Sequence, residues 1–143
     1  MSRLLLPLAC AAGAIALGAS ELSPTFELRG FDDTVHGTLE PGDRHYYAQL
    51  VLAVFALAAL AVAALTGSRP AAFAVAACGV AALALFAIID LPDLNAQGSL
   101  LDPYFAEGKA VPVTGFWLEL TGSLTLAATG LALALGGLNR DEE

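Results

Sequence analysis

The sequence predicts an all-α membrane protein, a four-helix transmembrane bundle with a small β-hairpin-like element in its first large loop. Hydrophobic residues make up 57% of the 143 residues and charged residues only 14%, whereas a soluble domain has about 25% charged residues. Mean hydropathy is +0.72. Four charge-free runs are nearly long enough to span a bilayer, and no proline lies at the centre of any of them.

The charge-free runs predict transmembrane helices at about residues 4–20, 46–66, 70–90 and 115–137. A segment in lipid must satisfy its own backbone hydrogen bonds, so each run is expected to be helical. The connections 21–45 and 91–114 are polar and form two large loops on one face, and residues 66–70 form a short turn on the other. We therefore expect a single membrane domain over residues 1–143.

The first run raises an alternative, because Arg3, the apolar stretch and Gly18-Ala19-Ser20 partly fit a cleaved signal peptide. The run is longer than a usual signal core, so we expect it to be retained as a helix. Basic residues lie close to helix ends on one face and are spread along the large loops on the other. This distribution predicts a multi-pass plasma-membrane protein with both termini in the cytoplasm.

Aromatic residues mark the predicted boundary between lipid and the large loops. Tyr46 and Tyr47 begin the second predicted helix, and Phe116 and Trp117 begin the fourth. Amphipathic rings favour the membrane interface. We therefore interpret these residues as interface anchors on the outer face.

The first large loop has the pattern of two short strands. Residues 25–29 alternate polar and apolar side chains, residues 30–33 read as a turn, and residues 34–39 can return as a second strand. An isolated hairpin is marginally stable, so it is expected to pack on the second large loop or on a partner. That second loop is interrupted by proline and glycine and is predicted to be irregular.

Small residues predict where the helices approach one another. Gly13 and Gly18 lie on the first helix, and Gly122, Ser123 and Gly130 lie on the fourth. Small side chains let backbones pack closely in lipid. The pattern fits a compact bundle and equally fits self-association.

Two acidic residues are candidates for an ion or partner contact. Glu119 lies one turn inside the fourth predicted helix, and Asp90 ends the third at the same face. An acid within a membrane segment is a functional candidate by default. The alternative is an interfacial acid that reaches water.

A second candidate site is a metal cluster in the first large loop, with ligands Asp32, Asp33, His36, Asp43 and His45. Carboxylates and imidazoles suit several divalent ions. The spacing matches no defined ligand motif, so the alternative is a solvated acidic loop.

Composition and missing motifs exclude several classes. The net charge is −8 and the six Lys and Arg are scattered, which argues against nucleic-acid binding. The sequence has no C-x-x-C pair, no histidine within a predicted helix and no phosphate-binding glycine loop. We therefore expect no catalytic residue, no cofactor and no enzyme activity.

The layout resembles that of uncharacterised small four-helix membrane proteins of high-GC bacteria. The matching features are Ala19-Ser20 at the end of the first helix, the stretch from Ile89 to Asn95, and the stretch from Gly115 to Leu120. The resemblance implies the fold and membrane location, and it implies no activity.

The sequence favours a non-catalytic accessory, scaffolding or assembly subunit that lies in the bilayer and binds other membrane proteins or itself. Small-residue helix faces and large outer loops support that expectation. One alternative is a small transporter or ion-conducting protein that uses Asp90 and Glu119. Another is an extracytoplasmic sensor whose acidic first loop binds cations.

Overall fold

The computed structural model describes residues 2–30, 33–39, 41–94, 96 and 108–136. In these residues the protein is mostly helical, with four long helices, one short helix, a 3-10 turn and a small three-stranded sheet. The elements in chain order are α1 Ser2–Ser20, β1 Phe26–Arg29, β2 Val35–Leu39, α2 Pro41–His45, α3 Ala48–Thr66, α4 Arg69–Ile89, the 3-10 turn Leu91–Asp93, β3 Lys109–Pro112 and α5 Thr114–Gly136.

Three of the long helices, α3, α4 and α5, are long and apolar enough to cross a membrane. The apolar part of α1, Leu4–Ser20, is shorter. Large aliphatic side chains project outwards from the bundle, as at Val54, Ile88 and Leu131. Such a surface suits lipid, because lipid-facing side chains need no water.

The long helices form an up-down-up-down bundle in which α1 and α4 each pack against both α3 and α5. The turn between α3 and α4 consists of two residues. Gly67 adopts a left-handed conformation (φ 69°) and donates its N–H to Ala63 O, a geometry that glycine adopts without steric cost. Ser68 then caps α4 by accepting the N–H of Ala71.

Close backbone contacts hold α5 against its two neighbours. A methyl group at Gly130 would lie 2.6 Å from the backbone nitrogen of Ala76 in α4, and one at Gly122 would lie 2.7 Å from that of Leu17 in α1. No side chain fits at such distances, so only glycine allows these helices to touch.

The five residues expected to mediate helix packing lie at contacts between helices of this chain. Gly13 lies against Gly122, Gly18 faces Ala53 of α3, and Ser123 is completely buried. The sequence did not single out Gly79, which lies against the backbone of Ala127. The small residues therefore pack this bundle internally.

The predicted antiparallel pairing in the first large loop is confirmed, and a third strand completes it. Strand β1 lies in the centre, with β2 on one side and β3 on the other, both antiparallel. Phe26 aligns with Leu39 of β2 and with Pro112 of β3. The second large loop is thus not wholly irregular, because residues 109–112 supply the partner that a marginal hairpin needs.

An aromatic cluster joins the sheet to the bundle. The ring of Phe116, at the start of α5, lies 5.5 Å from that of Phe26 in β1 and 4.8 Å from that of Phe86 in α4. Phe116 is only 2% exposed, in contrast to the interface anchor expected from sequence. The sheet therefore lies where α1 and α4 end and α3 and α5 begin, here termed the sheet end.

Candidate functional site

Three ionisable side chains from three separate segments meet inside the sheet end. His45 ends α2, Asp90 caps α4, and Glu119 lies in the second turn of α5. One ligand-type atom from each lies within 4.8 Å of those of the other two. All three residues are buried, with Asp90 and Glu119 completely inaccessible. We refer to His45, Asp90 and Glu119 as the buried cluster.

An unusual turn brings His45 into the interior. The next two residues, Tyr46 and Tyr47, both adopt left-handed backbone conformations, with φ angles of 50° and 60°. Such angles are uncommon outside glycine and carry steric strain. The turn leaves both tyrosines at the surface, 87% and 53% exposed, while His45 is buried.

The imidazole of His45 lies between two carboxylates. Its Nε2 is 2.8 Å from Asp90 Oδ2, and its Nδ1 is 3.7 Å from Glu21 Oε1 at the end of α1. Neither ring nitrogen makes a well-directed hydrogen bond. The imidazole therefore contacts Asp90 at ion-pair distance without pointing its N–H at the oxygen.

Burial acts to lower the pKa of His45, since a charged imidazole loses its hydration there. The contacts with Asp90 and Glu21 and the negative charges of Asp90 and Glu119 act in the opposite direction and outweigh it. Together they raise the pKa of His45 from 6.5 to about 10. At neutral pH the imidazole therefore carries a positive charge.

Gln49, in the first turn of α3, ties the cluster to three helices. Its side-chain amide donates hydrogen bonds to Glu119 Oε1 and to the backbone oxygen of Ala82, and it is completely buried. Its backbone N–H donates to Glu21 Oε1 at 3.0 Å. Glu21 thus satisfies one of the free N–H groups at the start of α3, where a negative charge is favoured.

Arg44 closes the cluster on the side of the 3-10 turn. Its guanidinium forms an ion pair with Asp93, donates to the backbone oxygen of Ile89 at 2.9 Å, and lies 3.7 Å from Asp90 Oδ1. It also lies over the ring of Phe26, 5.4 Å from the centroid, where the ring's negative face attracts a cation. Arg44 therefore connects α2, α4 and the sheet.

Carboxylates outnumber bases in this region. The buried carboxyl groups of Glu21, Asp90 and Glu119 face two bases, Arg44 and His45, and Arg44 is shared with Asp93. Both oxygens of Asp90 and one oxygen each of Glu21 and Glu119 lack a hydrogen-bond partner within the chain. Buried charge without a partner is costly, so the site favours an added positive charge.

The cluster ends one turn into the bundle. Ser123 donates its hydroxyl to the backbone oxygen of Glu119 at 2.6 Å. Beyond it, the described interior is lined by Leu17, Val75 and Leu126, each at most 1% exposed. Among the residues that the structure describes, the buried acidic and basic side chains are therefore concentrated at the sheet end.

The structure brings some of the predicted site residues together and separates others. Asp90 and Glu119, expected to approach each other, share the buried cluster. His45, expected in a first-loop metal site, belongs to this cluster instead, whereas Asp33 and His36 are exposed. Asp32 and the side chain of Asp43 lie outside the part of the chain that the structure describes, so the first-loop site stays a prediction.

Sequence reasoning missed Glu21, Arg44 and Gln49 as members of this site. Gln49 is uncharged, so a search of the apolar runs for charges passes over it. Glu21 and Arg44 read as ordinary loop charges, because nothing local shows that the ends of four helices converge. The available signal was the position of each residue within one turn of a predicted helix end.

Comparisons of the chain with protein-family models, with curated proteins and with solved structures gave no match.

Proposed function

We propose that this is a non-enzymatic, cation-responsive membrane protein, in which a cation held by the buried cluster fixes the sheet against the helices. The observation that carries the proposal is the excess of completely buried carboxylate oxygens without hydrogen-bond partners. A fold that gathers such groups from three segments needs a positive charge to offset them.

The proposal includes four membrane spans with both termini in the cytoplasm, in the plasma membrane. Helix α1 has 19 residues, which is a length of about 28 Å, close to the hydrocarbon thickness of about 30 Å. It packs between α3 and α5 as the other helices pack between their neighbours. This orientation puts the sheet end, and with it the buried cluster, on the outer face.

Two kinds of cation would balance the cluster. With Arg44 charged, a divalent ion beside a neutral His45 would offset the carboxylates of Glu21, Asp90 and Glu119. A proton on one of these carboxyl groups beside a charged His45 would do the same. In both cases the occupant removes the energetic cost of unpaired buried charge.

The positions of the cluster residues link cation binding to the attachment of the sheet. His45 belongs to α2, the segment between strand β2 and helix α3, while Asp90 caps α4 and Glu119 lies in α5. Loss of the cation would leave carboxylates that repel one another and would weaken the attachment of α2. We therefore expect the sheet to be more mobile when the cluster is empty.

The interior favours binding over conduction. Transport through Asp90 and Glu119 would require a path lined by polar groups. Beyond Ser123 the buried side chains of Leu17, Val75 and Leu126 are apolar, and the contact between Cys10 and Thr129 is between uncharged groups. An accessory role toward another membrane protein is compatible with a cation-responsive outer face. The small residues give that role little support, because they pack the chain internally.

Hydrogen exchange tests the proposal. The full chain in lipid nanodiscs is treated with chelator and then exposed separately to Mg²⁺, Ca²⁺, Mn²⁺, Zn²⁺ and a range of pH. We expect one of these cations, or protons, to increase the protection of residues 26–29 and 35–39, and Glu119→Gln to abolish that increase. Unchanged protection under every condition would refute the proposal. A matched control is Glu27→Gln, which removes an acid that pairs with Arg29 on the sheet.

A further inference from the structure

We propose that the buried cluster is a binding site for a divalent transition-metal ion, with His45, Asp90 and Glu119 as its ligands. The inference rests on the proposed function, because it names the cation that the cluster holds. One imidazole and two carboxylates form a nitrogen and oxygen ligand set, which suits ions such as Zn²⁺, Mn²⁺ and Fe²⁺. Each ligand comes from a different segment, so the folded chain assembles the site.

The spacing of the three side chains is close to that of a metal site. Their ligand atoms lie within 4.8 Å of one another. Ligands that share a zinc ion at about 2.1 Å stand roughly 3.4 Å apart in a tetrahedral arrangement. Small adjustments of the side chains therefore bring all three atoms to bonding distance.

The two closest ligand atoms are not joined by a directed hydrogen bond. His45 Nε2 and Asp90 Oδ2 are 2.8 Å apart, yet both atoms lack a directed hydrogen bond. Because neither atom is engaged in a directed hydrogen bond, both remain available to a metal ion. Glu119 Oε2 is also buried without a partner, which leaves it available as the third ligand atom.

Neighbouring residues contact the proposed ligands in the way that outer residues contact the ligands of known metal sites. Gln49 donates to Glu119 Oε1 and leaves Oε2 free. Glu21 Oε1 lies 3.7 Å from His45 Nδ1, the ring nitrogen opposite Nε2. Metal-bound histidines commonly direct their second nitrogen to a carboxylate, which fixes the ring orientation. We therefore assign Glu21 and Gln49 as positioning residues.

Metal titration of the full chain in detergent micelles tests the inference. After treatment with chelator, calorimetric titration with Zn²⁺ is expected to show saturable binding of one ion per chain. Visible absorption of Co²⁺ in the same site reports a nitrogen and oxygen ligand set directly and works on the wild-type protein. Absence of saturable binding of Zn²⁺, Mn²⁺, Fe²⁺ and Co²⁺ to the wild type would overturn the inference.

Matched variants separate this site from exposed ligands. His45→Gln, Asp90→Asn and Glu119→Gln are each expected to lower Zn²⁺ affinity by at least about tenfold. The controls His36→Gln and Asp33→Asn alter exposed residues of the same types and are expected to bind Zn²⁺ as the wild type does. Equal losses in controls and cluster variants would show surface binding only and would contradict the proposal.

Substitution of the positioning residues is expected to weaken metal binding without abolishing it. Removing outer partners of metal ligands typically costs about 10- to 100-fold in metal affinity. Glu21→Gln and Gln49→Leu are expected to lower the affinity within that range while keeping the stoichiometry of one ion. They are also expected to shift the Co²⁺ absorption, which a purely structural effect on a distant part of the chain would not do.

The failures of the two proposals are distinguishable. If protons alone protect the sheet from exchange and no metal binds, the metal inference is overturned and the cation-responsive function stands. If Zn²⁺ binds at the cluster and exchange in the sheet is unchanged, the metal site stands and the proposed function is refuted.

Discussion

The side-chain amide of Gln49 donates a hydrogen bond to the carboxylate of Glu119, and both residues are completely buried at the sheet end. The contact joins the first turn of α3 to the second turn of α5. It also leaves only one oxygen of Glu119 without a partner. Gln49 is therefore the uncharged residue that connects the apolar helix α3 to a site made otherwise of ionisable side chains.

Replacing Gln49 by leucine is expected to destabilise the folded protein by about 2 to 3 kcal/mol, since a buried acidic group then loses its donor. The measurement is the free energy of unfolding in detergent, followed by circular dichroism.

A double-mutant cycle isolates the contact. If the loss arises at Glu119, the double variant Gln49→Leu with Glu119→Leu will be more stable than the sum of the single effects predicts, because the carboxylate that had lost its donor is then also removed. Strictly additive effects would contradict the importance of this hydrogen bond.

The long helices could be predicted because a helix able to cross a membrane is apolar over nearly all of its length. The charge-free runs gave α3, α4 and α5 to within a few residues at each end. Strands β1 and β2 could be predicted from local alternation. The third strand could not, because its pairing with β1 joins residues at least 80 positions apart and its own four residues include a proline.

The buried cluster was predictable only in part. Asp90 and Glu119 were identified because acids at or inside membrane helices are costly and therefore informative. Placing His45 beside them depends on the left-handed turn at Tyr46 and Tyr47, and nothing in a pair of tyrosines indicates that conformation. The role of Gln49 follows only from which helices are neighbours.

Gly130 supplies a prediction about the contact between α4 and α5. Gly130→Ala is expected to destabilise the protein by about 1 to 3 kcal/mol, because the added methyl group would meet the backbone of Ala76 and force the helices apart. The matched control is Gly136→Ala near the end of the same helix, where an added methyl group meets nothing within 4 Å. Equal effects of the two substitutions on the unfolding free energy would contradict the close packing.

The raised pKa of His45 predicts how the chelator-treated protein responds to pH. The folded-state pKa of about 10 lies above the ordinary value of 6.5, so the protonated imidazole stabilises the folded state. This contribution is fully present below pH 6.5 and is lost as the pH rises through about 10. The groups that act on the ring are Glu21 just after α1, Asp90 at the end of α4 and Glu119 in α5. Arg44, the residue before His45, contacts Asp90.

The check is the thermal unfolding midpoint in chelator, measured between neutral and alkaline pH. We expect it to fall with rising pH in the wild type and to fall less in His45→Gln. His36→Gln serves as the control, because His36 is exposed on the sheet. Equal slopes in the wild type and His45→Gln would show that His45 does not carry the effect.

The proposed topology predicts which positions a membrane-impermeant thiol reagent reaches in intact cells. In a background with Cys10 and Cys78 replaced by alanine, Thr38→Cys on β2 is expected to react from outside. Thr66→Cys, at the turn end of α3, and Ser2→Cys are expected to react only after the membrane is permeabilised. Thr38 and Thr66 are both exposed, so a difference between them reports the side of the membrane and not burial. Labelling of Ser2→Cys in intact cells would show that α1 does not cross as proposed.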